Sequence, residues 1–173
     1  PEDTLGSAET AVAVANKWIT DPTFVADAGN VFTAESAAVI PIFEKAFIPM
    51  MSPSATGANL TVDNDVFNRL VFQDSAQGVF AAEFTLKFSK IAIIHDGGDY
   101  GKGIADTVVS TLRDAGIEPV AYESITAGEA DYGAVLAAVA STKPEIIYYG
   151  GFTAELSVLL NQKAQFGLAG TPI

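Results

Sequence analysis

The chain has 173 residues, 49% of them hydrophobic, and sets 9 Lys and Arg against 21 Asp and Glu for a formal charge of −12. So apolar a chain can bury a core, which excludes a disordered polypeptide, and its length suits one domain or two small lobes. The acidic balance argues against nucleic acid or an anionic membrane surface, because both require clustered Lys and Arg.

Cysteine is absent, which removes disulfides, thiolate zinc sites and Cys nucleophiles. No run reaches the roughly 18 apolar residues of a membrane helix. The opening PEDTLGSAE has neither the basic nor the apolar part of a signal peptide, so the protein is either cytosolic or exported with its signal already removed.

In chain order, SAETAVAVANKWI (7–19) predicts a helix, with Ser7 as N-cap and apolar residues at helical spacing. Thr33–Phe47 predicts a second, with Ala37, Ile40, Phe43 and Phe47 on one face and Pro41 kinking or restarting it. FIPMMSP (47–53) reads as a short buried strand stopped by proline, and Phe67–Phe72 as another. DSAQGVFAAEF (74–84) reads as a cap and helix.

From Lys90 the alternation is strict. KIAIIHD is a strand, Tyr100–Ala115 a helix closed by Gly116, and IEPVAYESI a strand. Asp131–Thr142 is a helix, EIIYYGG a strand, and Thr153–Phe166 a helix closed by Gly167. Alternating strands and helices predict right-handed crossovers and mostly parallel sheets covered on both faces. Ligands of such sheets bind at the carboxyl ends of the strands. The loops to watch are therefore GNVFT (29–33), SPSATG (52–57), HDGGDYGKG (95–103) and GGFT (150–153).

GGDYGKG resembles a phosphate loop but fails its pattern. The spacing from Gly97 to Gly101 is one residue short, Gly103 replaces the Mg²⁺-binding hydroxyl, and Asp96 and Asp99 would repel a polyanion. The order of its glycines is not that of a dinucleotide site either. His95 is the only histidine, and no G-x-S-x-G elbow accompanies it, so a triad has little support. DND at 63–65 starts like a calcium loop, but the turn glycine and the closing Glu are missing. No catalytic residue, metal or cofactor is expected.

A binding protein needs less: small hydroxyl residues and free amides for a carboxylate, and rings for an apolar group. Thr33 stands at an expected helix N-cap, where amides and the positive helix end favour an anion. Ser54 and Thr56 follow a strand end, and Tyr100 and Phe152 follow glycines at two others. Taken singly, each is more often a cap, turn or packing residue. The case rests on all five falling in strand-end loops.

Six segments carry a family resemblance: AETAVAVANKWI, PMMSPSATGANLT, FQDSAQG, KIAIIHDGGDYGKGIAD, ITAGEADYGAVL and EIIYYGGFTAE. In that order they resemble the periplasmic branched-chain amino acid binding proteins of ABC transporters, the Leu/Ile/Val type. The resemblance implies an α/β, two-lobed type I periplasmic binding fold with parallel sheets flanked by helices, of which this chain is expected to be a fragment. Residues 1–87 would be part of lobe 1, lacking its opening strand and helix, and 88–173 part of lobe 2.

The resemblance also implies residue roles. Thr33 and Thr56 would hold the ligand α-carboxylate, Thr56 also contacting the amino group. The Ser54 carbonyl would take the α-ammonium, with Ala55 beside it in the SPSAT motif. Tyr100 and Phe152 would be the rings of the second lobe. The implied protein is non-catalytic and periplasmic or cell-surface, closes its lobes around an amino acid, and delivers it to a membrane permease. A sensory domain of the same fold and a flavodoxin-like or hydrolase-like enzyme are the alternatives. In VADAGN, Asp27 stands where the family has a strongly apolar strand.

Overall fold

The computed structural model describes residues 2–173. The chain divides into two compact units, the first ending at Asp74 and the second running from Ser75 to Ile173.

In the first unit, helix α1 (Ala8–Trp18) starts at Ser7, whose hydroxyl accepts the Thr10 N–H at 3.3 Å. That bond satisfies one of the amide donors a helix start leaves open. The small residues Ala11 and Ala15 are its buried face, which lets it pack closely on helix α2 (Thr33–Ala46). Three short parallel strands follow the order β1 (Asp27–Ala28), β2 (Met50–Ser52), β3 (Phe67–Arg69). Val39, Phe43, Met50 and Phe67 form the core with the α1 alanines. Trp18, Phe24 and Phe43 extend it as a chain of rings with centroids 5.0 and 5.9 Å apart.

Three expectations change here. Pro41 neither breaks nor restarts α2, which runs continuously through it. Both Pro41 and Ala37 lie on the solvent side, so the carbonyl that loses its helical donor can be met by water. The buried face is Glu35, Ser36, Val39, Ile40 and Phe43, without Ala37. Phe47 is 90% exposed with φ 56°, because it caps the helix in the left-handed conformation while the Ile48 N–H returns to the Phe43 carbonyl at 2.9 Å. Finally, β3 stops at Arg69 and leaves Leu70 and Phe72 exposed. Its partner β2 ends at Ser52, before Pro53, which has no N–H to continue a ladder.

In the second unit, β4 (Ile91–His95) lies between β5 (Ala121–Ser124) and β6 (Ile146–Gly150), all parallel. Every β4 residue is buried, as a central strand covered on both faces must be. Helices α4 (Asp99–Asp114), α5 (Gly133–Ser141) and α6 (Thr153–Gln162) connect or follow the strands. Helix α3 (Asp74–Thr85) buries Ala82 among Ile91, Ile93 and Val108. A Cβ at Gly78 would lie 2.6 Å from Thr107, so α3 and α4 touch there. A boundary after residue 87, as the resemblance implies, places α3 with the first lobe.

Strand β5 is shorter than IEPVAYESI suggests. Pro119 cannot donate, and pairing begins with the Val120 N–H to the Ile91 carbonyl at 2.9 Å. Gly116, with φ +80°, follows α4. Gly167, with φ +78°, closes a 3₁₀ turn (Lys163–Phe166) after α6. Both sit in the left-handed conformation that glycine adopts without strain.

Candidate functional site

In the first unit, two loops meet at the carboxyl ends of β1 and β2. The Asn30 carbonyl accepts the hydroxyls of Ser36 and Ser52 at 2.9 and 2.8 Å. The Ser52 hydroxyl in turn accepts the Ala55 and Ser54 amides at 2.9 and 3.3 Å, so buried Ser52 folds the SPSATG loop over itself. Thr33 is the first residue of α2, with Phe32 at the N-cap, which corrects the expected cap assignment. Buried Thr33 instead accepts the Gly57 amide on Oγ1 at 3.2 Å. A Cβ at Gly57 would lie 2.5 Å from Thr33 Cγ2, so only glycine allows this approach.

The result gathers Thr33, Ser54, Ala55 and Thr56 on two touching loops. Ala55 is buried, Thr56 half-buried and Ser54 exposed. The Thr33 hydroxyl has used one lone pair and keeps its proton to donate. Beside it, the first amides of α2 lack carbonyl partners within the helix and carry its positive end.

Sequence reasoning missed two residues that brace this loop. Arg69 donates to the Gly57 carbonyl at 2.8 Å, and the Asp74 amide donates to the Thr56 carbonyl at 2.8 Å. The Asp74 carboxylate is 1% exposed, and neither of its oxygens completes a hydrogen bond. Burial pushes its carboxyl up, only partly offset by the nearby Thr56 hydroxyl and the Arg69 guanidinium. The same desolvation lowers Arg69. Asp27 is buried too, with Asn30 donating to it at 2.7 Å, and burial raises it. A cavity of about 620 Å³ runs along β1, past Trp18, Phe24, Asp27 and Glu35, and includes none of the four predicted residues.

In the second unit, the Tyr100 and Phe152 rings meet with centroids 5.3 Å apart and planes tilted by 41°. Tyr100 lies in the first turn of α4 and Phe152 at the N-cap of α6, so the two strand-end loops bring them together. The amides of the intervening turn are already committed: Gly97 donates to His95 Nδ1 at 3.0 Å and Gly98 to Asp96 Oδ1 at 2.9 Å. A phosphate cradle needs those donors free. Lys102 pairs with Asp106 at 2.6 Å. His95 is buried with its ring 4.9 Å from that of Tyr122. Burial first, then the charge of Lys102, lowers its pKa.

A second missed group lies under the ring pair. Asp96, at 7% exposure, Glu155, at 9%, and the Tyr149 hydroxyl share one corner of the unit. Burial raises Asp96, and the charge of Glu155 adds to it against the Gly98 amide. Burial and both carboxylates push Tyr149 well above the ordinary phenol range. The only sequence signal was an acid ending an apolar strand.

Comparison with known proteins matches this chain over residues 1–173 to the family described as periplasmic binding protein. Over 163 residues it is 35% identical to the leucine-, isoleucine-, valine-, threonine- and alanine-binding protein of Pseudomonas aeruginosa, covering 91% of this chain and 43% of that protein. It is 36% identical over 162 residues to the leucine-specific-binding protein of Salmonella typhimurium, covering 91% and 44% respectively. Among solved structures, a leucine binding protein from Thermotoga maritima superposes with TM-score 0.89 at 26% identity, covering 95% of this chain and 48% of that one. The chain thus spans less than half the length of the relatives it matches.

Proposed function

This chain belongs to the periplasmic binding protein family, and on that premise we propose that it is part of an exported solute receptor that captures an amino acid, branched-chain or similar, for an ABC transporter permease. The observation that carries the reading is the Thr33 hydroxyl. It is held by the Gly57 amide beside the positive end of α2 and keeps a proton to donate to a carboxylate. Thr56 and the Ser54 carbonyl, on the same braced loop, serve the carboxylate and ammonium of the ligand. Tyr100 and Phe152, half-exposed and in ring contact, serve its apolar side chain.

Relatives named for leucine, isoleucine and valine support this ligand class. No step in the reading requires catalysis, and His95 acts as the acceptor for the turn amide. The test is calorimetry and thermal shift against a panel of amino acids. Leucine, isoleucine or valine should raise the melting temperature, and Thr56→Ala should weaken that response. A panel with no responsive amino acid, or an unchanged Thr56→Ala response, rejects the assignment.

A further inference from the structure

Below the ring pair, the first turn of α4 lies backbone to backbone against the end of β6. A Cβ at Gly101 would lie 2.5 Å from the Gly150 carbonyl oxygen and would overlap Asp96 Oδ1. One at Gly150 would overlap the Gly101 carbonyl oxygen. One at Gly151 would lie 2.8 Å from Asp96 Oδ2 and would overlap the Tyr149 hydroxyl. The Asp96 carboxyl group therefore fills the corner where the two loops meet, and its main-chain N–H ties β4 to the Gly150 carbonyl at 3.1 Å.

Tyr100 is the residue before Gly101, and Phe152 is two residues after Gly150. Whatever fixes that backbone approach fixes how far apart the two ring-bearing segments stand. Asp96 grips both sides: Oδ1 accepts the Gly98 amide at 2.9 Å at the start of α4, and Oδ2 faces Gly151 and Tyr149 at the end of β6. The Tyr149 hydroxyl is buried near the Phe152 backbone and completes no hydrogen bond.

We propose that Asp96 is the positioning residue for the Tyr100–Phe152 pair, its carboxyl group bridging the two loops without touching ligand itself. The proposal rests on the ligand-binding reading for its consequence, though not for its geometry. The ionisable groups around Asp96 are His95 on β4, Tyr149 on β6, Glu155 on α6 and Tyr132 before α5. Burial and Glu155 favour its neutral form, so an amide of the same shape should serve. Its oxygen can accept from Gly98 as Oδ1 does now.

The test compares Asp96→Ala and Asp96→Asn in the 173-residue chain by ring-to-ring nuclear Overhauser effects between Tyr100 and Phe152, without ligand, from about pH 5 to about pH 8. Asp96→Ala should separate the rings while keeping the dispersion of a folded protein, and Asp96→Asn should hold them together throughout. Rings that still touch in folded Asp96→Ala overturn the proposal. Rings that part in Asp96→Asn overturn it too, and that result decides the matter alone if the alanine variant does not fold. Leucine titration in parallel should show about tenfold weaker binding for Asp96→Ala and wild-type binding for Asp96→Asn. If the wild type binds no amino acid of the panel but the rings still part in Asp96→Ala and not in Asp96→Asn, the positioning role stands and the ligand reading falls.

Discussion

Gly101 and Gly150 pack main chain on main chain: any side chain on the first would meet the carbonyl oxygen of the second at 2.5 Å. Gly101 sits within α4, where alanine would ordinarily gain about 1 kcal/mol in helix propensity. The clash is with backbone and with the buried Asp96, which cannot swing aside, and overpacking of this kind costs about 1–3 kcal/mol. Gly101→Ala should therefore destabilise the protein in urea denaturation despite the propensity gain.

The Thr33 hydroxyl is the acceptor for the buried Gly57 amide. Thr33→Val keeps the shape and leaves that amide unpaired, which costs about 1–3 kcal/mol. Thr33→Ser retains the oxygen and loses only a buried methyl group, about 0.8 kcal/mol. Denaturant midpoints measure the difference. A loss in Thr33→Ser with none in Thr33→Val would show that the methyl group, not the hydroxyl, matters at this position.

Asp74 is held in a buried site that raises its pKa. Below about pH 3.9 the carboxyl is protonated in both folded and unfolded chains, so it carries no penalty there. As pH rises through the folded pKa, the native state must ionise a desolvated group and loses stability. Asp74→Asn should consequently melt higher than wild type at neutral pH, with the gap closing below about pH 4. Asp27 and Asp96, raised for the same reason, leave a residual slope of the same sign in the variant.

His95 gives the opposite sign. Its lowered pKa means the unfolded chain takes up a proton first, so stability falls as pH drops below about 6.5. His95→Asn offers an oxygen to the Gly97 amide in place of Nδ1, removes this dependence, and loses about 0.5–1.5 kcal/mol from the ring packing with Tyr122. Melting curves on either side of about pH 6.5 read both effects.

Much of this architecture was legible in the chain because its cues are local. IAIIH and IIYYG are short apolar runs bounded by turn residues, the pattern of strands in a parallel sheet. Ser7, Gly116 and Gly167 mark helix ends through their own conformational preferences. Where local cues misled, a neighbour outvoted them. Phe47 looks like a core residue by spacing, yet the return of Ile48 to Phe43 turns it outward. Phe67–Phe72 reads as six strand residues, yet Pro53 ends the partner strand first.

The candidate site divides in the same way. The sequence by itself determined which loops stand at strand ends and which hydroxyls and rings they carry, since alternation and turn residues are written along the chain. Only the tertiary structure decided that Thr33 receives Gly57, that Arg69 and Asp74 brace the Thr56 loop, and that Asp96, Tyr149 and Glu155 share a corner. Those pairings join residues whose separation along the chain is bridged by strand register, His95 opposite Gly150 and Ser52 opposite Arg69. A register is the outcome of burying whole strand faces together, so no single segment specifies it.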